Sequence, residues 1–311
     1  CQRLKLSAQR GLARPLRRAL APRKHNMEPP PTEDPPDAAK QDVDLEDDFG
    51  PRQSVAQAWR QTLSPTLLLD FFVVALMSAL SEFALPQHTR PVPVQNVNGS
   101  YVRSWMLDNP YNPDTVSNAV LVLIATLIPL GVAILLSFVS PARGSVKAWL
   151  HSYIWMFGTT VMVVSCLKAY CGYWRPYFLN KCNFDAGTGQ CISDDYDKFR
   201  SFPSGHAANS VGPLLHTSLR LMGALRLGHT PRTVRIGSTR CTLELGGLLT
   251  MLCLLPTFLA VWIAGSRVYD HKHHPADVVG GALIGGGAAV LWYVRYFLAL
   301  FGPQAHRPRL A

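Results

Sequence analysis

The sequence predicts an all-α fold, a polytopic membrane bundle of six transmembrane helices. Charged residues make up only 16% of the 311-residue chain and hydrophobic residues 48%, whereas soluble domains carry about 25% charged residues. Six apolar stretches approach the length of about 17–25 residues that a bilayer-spanning helix needs. Beyond residue 62 the basic residues fall mostly in the segments between those stretches, as in chains that set their orientation by cytosolic positive charge.

The elements follow in order. Residues 1–62 form an N-terminal segment, basic over 1–24 and acidic and proline-rich over 28–48. Neither block has apolar periodicity, and both are expected to be disordered and cytosolic. The chain begins with Cys1, and Met27 is a candidate start. Residues 63–301 form the membrane domain, with apolar stretches at 64–84, 114–139, 146–167, 207–225, 242–264 and 278–301. Asp70 and Glu82 mark down the first, and Pro213, His216 and Arg220 make the fourth the weakest. Pro129, Pro213 and Pro256 are tolerable where neighbouring helices satisfy the freed backbone groups. Residues 302–311 are a short cytosolic tail.

Mean hydropathy is only +0.09 because the polar N-terminal segment dilutes it. The formal net charge of +10 is assigned to orientation and not to nucleic acid. The loops 140–147 and 226–240 and the tail HRPR are basic. Threading six helices puts all three on one side, the cytosolic one, with both termini. The segments 85–113, 168–206 and 265–277 then lie on the lumenal or extracellular side. The sequon Asn98-Gly99-Ser100 is a candidate glycosylation site there. Cys182 and Cys191 bracket a short polar run and could pair in that compartment; two free thiols are the alternative.

The segment SFPSGHA at 201–207 raises a question of chemistry. Pro and Gly punctuate loops and Ser is a common N-cap, so a helix start would account for it. Yet Lys168 and Arg175 end the third span, Ser204, Gly205 and His206 open the fourth, and Arg267, His273 and Asp277 join the fifth to the sixth. Parity puts all of them on one face. Singly, each cation could be a snorkelling residue at a helix end. Together, three cations, a hydroxyl and helix-terminus amides form a site for a tetrahedral anion. If one of His206 and His273 attacks phosphorus, the other can protonate the leaving oxygen. Asp277, four residues after His273, can hold that imidazole in one tautomer. A metal site formed by His271, His273 and His274 with Asp270 and Asp277 is the competing reading. It is disfavoured by the surrounding cations and the lack of a second ligand group, so neither metal nor cofactor is expected.

These residues form the patterns K-x6-R-P, P-S-G-H and S-R-x5-H-x3-D, at Lys168 to Pro176, Pro203 to His206 and Ser266 to Asp277. In this the chain resembles the type 2 phosphatidic acid phosphatase superfamily, the lipid phosphate phosphatases. The resemblance implies a core like that of acid phosphatases and vanadium haloperoxidases. It implies that His273 forms a phosphohistidine and that His206 protonates the leaving alkoxide and then activates water. Asp277 would orient His273, and Lys168, Arg175, Ser204, Gly205 and Arg267 would bind the phosphate, with no metal ion required. The membrane layout argues against the soluble branches. The expected substrates are phosphatidate, lysophosphatidate and diacylglycerol pyrophosphate, and the alternatives are polyprenyl diphosphates and sphingoid phosphates. Of other classes, a non-catalytic lipid-phosphate binder would usually have lost a signature residue. A transporter would show repeats and a midplane site. Self-association into a homo-oligomer is left open. So is the compartment, among endoplasmic reticulum, plasma membrane and a lysosome-like membrane.

Overall fold

The structure is a computed structural model that describes residues 54–139, 145–193, 196–227, 234–236, 239–241, 246–300 and 304–309. The basic and acidic blocks of residues 1–48, Met27 and most of the basic loop 226–240 lie outside these residues.

Helix α1 (Val55–Thr62) opens the described chain. It corrects the expectation of disorder through residue 62. Ser54 and Gln57 form a reciprocal capping box, which satisfies two backbone donors that a helix start leaves open. Trp59 then packs on a buried cluster that includes Trp149 and Tyr293.

The apolar stretches become α2 (Pro65–Phe83), α3 (Asn118–Val139), α4 (Ser145–Cys171), α6 (Gly205–Ala224), α7 (Gly246–Cys253) with α8 (Leu255–Tyr269), and α9 (Pro275–Tyr296). Among the described residues a single-turn helix, α5 (Phe178–Lys181), a 3-10 helix (Tyr196–Phe199) and three short hairpins complete the regular structure. In the hairpin β1 (Gln95–Val97) and β2 (Ser100–Val102), Asn98 and Gly99 both take positive φ, the backbone that a two-residue turn needs. The candidate glycosylation residue Asn98 is therefore exposed at a hairpin tip. Cys182 and Cys191 are joined in a disulfide. This closes the loop that carries the hairpin β3 (Phe184–Asp185) and β4 (Gln190–Cys191), directly after α5.

Among the described residues four helices are long and apolar enough to cross a membrane: α2, α3, α4 and α9. The pair α7–α8 makes a fifth if its 44° bend is one broken span. Pro256 explains the break, since it removes a backbone donor and its ring crowds the preceding turn. Helix α6 does not meet the hydropathy test, and the reason is its place in the bundle. It packs against α9, α8, α3 and α4, and Ser210, His216, Thr217, Ser218 and Arg220 are all buried on it. A helix enclosed by other helices needs no lipid-compatible surface. Its buried His216 is satisfied inside. Trp149 Nε1–H donates to His216 Nδ1 at 3.1 Å, and His216 Nε2 meets the Ser152 hydroxyl at 2.6 Å. That hydroxyl lies 3.0 Å from the Trp292 carbonyl, to which it can donate. The outer helices are the converse, with Leu68, Phe72, Leu123, Leu127 and Phe138 exposed, as lipid contact requires.

The crossing of α6 and α9 depends on small residues. A Cβ added at Gly281 would collide with the Ser204 carbonyl oxygen, and one at Gly285 with that of Ala208. Small residues four apart let two backbones touch, and in lipid such contacts hold helices together. The crossing brings the start of α6 beside the start of α9. At the other end, Arg309 donates to the carbonyls of Val294, Phe297 and Leu298. The tail thus folds back and satisfies groups that a helix C-terminus leaves open.

Candidate active site

Lys168 lies in the last turn of α4, and Arg175 follows beyond a left-handed Gly172. Gly205 and His206 are the first two residues of α6. Arg267 lies in the last turn of α8, and His273 lies in the turn before α9. His271 takes a left-handed φ of 57° in that turn, which lets the chain reverse after a helix end. All six of these signature residues line one cavity of about 550 Å³. Glu82 at the end of α2 and Asn118 at the start of α3 line it as well. The helix ends that meet there alternate between C-terminus and N-terminus along the chain.

Asp277 stands behind the cavity wall. Its Oδ2 accepts from the Ser201 hydroxyl at 2.6 Å and from the His274 N–H at 2.9 Å, and lies 3.7 Å from His273 Nδ1. That last separation is beyond a hydrogen bond and within ion-pair range. The Asp277 carbonyl accepts from the Ser204 N–H at 2.9 Å, which ties the starts of α6 and α9 together. Ser204 itself does not line the cavity. It is buried, and its hydroxyl caps α6 by accepting from the Ala207 N–H at 3.4 Å. His206 Nε2 lies 3.0 Å from the Val116 carbonyl. A carbonyl can only accept, so Nε2 carries the proton and Nδ1 is left free in the neutral ring.

His273 is 3% exposed. Burial pushes its imidazole well below the ordinary histidine value; Asp277 opposes the shift, and Arg175 and Lys168 add to it. The ring is therefore neutral at neutral pH, with a lone pair available.

The cations are held by carboxylates that no motif in the sequence marks. Arg175 donates to Asp197 Oδ1 at 2.7 Å and to the Lys272 carbonyl at 3.3 Å. Arg267, only 1% exposed, donates to Asp114 at 2.7 Å and to Asp270. Arg200 donates to Glu82 at 2.6 Å. Burial would raise the Asp197 carboxyl, but Arg175, the Tyr177 hydroxyl and Lys168 together hold it below the usual carboxylate range. Asp114, Asp197, Arg200 and Lys272 all line the cavity. So does Asn209, one turn into α6, whose buried Oδ1 has no partner among the described residues. Lys272, Ser201 and Arg200 sit inside or beside the motifs; that adjacency was the available signal. Asp114 and Glu82 reach the site from distant segments; Glu82 stands out only as a charge in an apolar stretch, and Asp114 leaves no signal. Among the described residues no three His, Cys, Asp or Glu side chains are grouped so as to hold a metal ion.

A cavity walled by buried cations at converging helix ends, with a neutral His backed by a carboxylate, is suited to a phosphoryl group. Residues 149–300, which contain all three motifs, match the PAP2 superfamily model. That stretch carries a PAP2 superfamily domain, and with the relatives below it makes the chain lipid phosphate phosphatase-like. It is 26% identical to a PA-phosphatase related-family protein of Dictyostelium discoideum, over 78% of this chain and 84% of the relative. It is 26% identical to lipid phosphate phosphatase 2 of Arabidopsis thaliana, over 64% and 68%. It is 25% identical to diacylglycerol pyrophosphate phosphatase 1 of Saccharomyces cerevisiae, over 67% and 74%. No solved structure matches the chain.

Proposed function

We propose that the protein is an integral membrane phosphohydrolase that dephosphorylates phosphatidate and related lipid phosphates without a metal ion, through a phosphohistidine on His273. The observation that carries this is the meeting of Lys168, Arg175, His206, Arg267 and His273 on one cavity.

The lipid phosphate seats its oxygens on Arg175, Arg267, Lys168 and the N–H groups that open α6 at Gly205. Asp277 lies beside Nδ1 of His273, so Nε2, on the opposite edge of the ring, attacks phosphorus. The P–O bond to the lipid breaks as the P–N bond forms. With its Nε2–H held by the Val116 carbonyl, His206 takes up on Nδ1 the proton that the phosphate monoester monoanion brings, gives it to the leaving alkoxide, and takes one on the same nitrogen from the water that hydrolyses the phosphohistidine. Diacylglycerol and inorganic phosphate leave. The cations are in place ahead of the reaction, so charge developing on the phosphoryl oxygens meets oriented donors.

The domain comprises six spans, α2, α3, α4, α6, the α7–α8 pair and α9, with the N-terminal segment and tail on the cytosolic side. The alternation of helix ends at the cavity and the enclosure of α6 support this layout. The site then faces the lumenal or extracellular side, the side of the disulfide and of Asn98.

The test is phosphate release from phosphatidate in mixed micelles with excess EDTA, comparing the full chain with His273→Ala. Release by the full chain and none by the variant is expected. Full activity in His273→Ala, or activity only with added metal, overturns the mechanism.

A further inference from the structure

Lys272 fills an unspecified position of the third motif, yet it is 4% exposed and lines the cavity. Its ammonium lies 3.6 Å from the centroid of the Tyr111 ring and 3.8 Å from Asp114 Oδ1. Neither contact is a hydrogen bond, and the ammonium makes none to another described residue. A buried ammonium has three donors to satisfy. An aromatic face and a distant carboxylate attract it without saturating it. An ammonium so placed on a cavity wall is poised for an anionic oxygen that enters with a ligand.

Its position tells which oxygen. The phosphate floor is built from deeply buried groups, among them His273, Arg175 and Arg267. Lys272 is as buried as these, but its ammonium lies against Tyr111 and Asp114, both exposed at the rim, and 5.5 Å from the centroid of the buried Tyr177 ring. Asp114 Oδ1 is shared between Arg267 Nη1 at 2.7 Å and Lys272 Nζ. Asp114 thus holds an anionic oxygen between the floor cation Arg267 and the wall cation Lys272, and a ligand oxygen reaches both cations where that half-exposed carboxylate turns away.

We infer that Lys272, with the Tyr111 ring behind it, is a specificity-determining residue that binds the non-reacting phosphoryl group of a diphosphate headgroup. This rests on the phosphatase reading for the site's use, but its binding prediction stands apart from turnover. A ligand with two linked phosphoryl groups engages Arg267 and Lys272 together, and a monophosphate engages the floor alone.

The test is binding to the full chain in detergent micelles, using methylenediphosphonate and methylphosphonate as probes that cannot be hydrolysed. The intact chain should bind methylenediphosphonate about tenfold more tightly than methylphosphonate, the scale of one charge-assisted contact. In Lys272→Met that ratio should collapse toward one, and Lys272→Arg should restore most of it. Loss of both ligands in Lys272→Met would report a misfolded chain, and Lys272→Gln then carries the comparison. A ratio near one in the intact chain, or one that survives both Lys272→Met and Lys272→Gln, overturns the inference. A lost ratio in the variants together with no phosphate release from any lipid phosphate would leave Lys272 as a ligand residue and sink the proposed activity instead.

Discussion

Ser201 and His274 both donate to one oxygen of Asp277, and that oxygen is the one facing His273 Nδ1, at 3.7 Å. The carboxylate is thus fixed from two sides as it faces the imidazole. A carboxylate that orients a catalytic His sets the tautomer and stabilises the cation that forms.

Asp277→Asn should therefore lower turnover by about a hundredfold or more. Ser201→Ala removes one of two supports and should cost about fivefold, the scale of a single hydrogen bond. The check is kcat on phosphatidate alongside thermal melting. Equal loss of kcat and of fold in both variants would mean that the network is structural only.

Arg175 donates twice to Asp197, at its carbonyl and its carboxylate, and once to the Lys272 carbonyl. Lysine keeps the charge and loses the planar fork. Arg175→Lys should reduce kcat/KM by about ten- to a hundredfold, with the larger part in KM if ground-state phosphate binding is what the fork supplies. Unchanged kinetics would remove Arg175 from the phosphate site.

The depressed His273 value has a sign that can be checked. The folded protein keeps this imidazole neutral below the pH at which the unfolded chain protonates it, about 6.5. Unfolding then takes up a proton, so stability is present above that pH and is lost as pH falls toward the folded value. Burial is the main cause, with Arg175 and Lys168 adding to it. The melting temperature of His273→Asn should fall less steeply between neutral and acid pH than that of the intact chain. Identical slopes would place the titration elsewhere.

Gly285→Val should be destabilising, because its Cβ would run into the Ala208 carbonyl. Overpacking of this kind costs about 1–3 kcal/mol. The motifs on α6 and α9 would separate with it, so melting temperature and activity in detergent should fall together. A variant with full activity would show that the crossing tolerates separation.

The sequence disclosed what is local. Apolar runs mark helices, and each motif sits at a helix end whose side follows from counting. Counting alone therefore gathers Lys168, His206 and His273 on one face. It disclosed less where position depends on a partner. Helix α6 reads poorly as a span because its buried His216 and Ser218 find their partners on α4 and α8, and hydropathy measures a helix alone. Glu82 reads as a blemish in an apolar run until Arg200 and Ser165 are found on it. Asp114 lies in a loop with no pattern, and only the fold brings it to Arg267. The Ser204 hydroxyl is occupied by the helix cap, a use that the motif alone does not distinguish from ligand contact.

The enclosure of α6 inverts the usual map of tolerance in a membrane chain. On α2 and α3 one oily side chain can replace another, since fluid lipid conforms to whatever it meets. Beyond the cavity-lining Gly205, His206 and Asn209, the residues of α6 face solid neighbours, so a conservative apolar swap there should be more damaging than a drastic one outside. A saturation mutagenesis screen should single out the helix that looks least like a membrane span as the one that accepts the fewest changes.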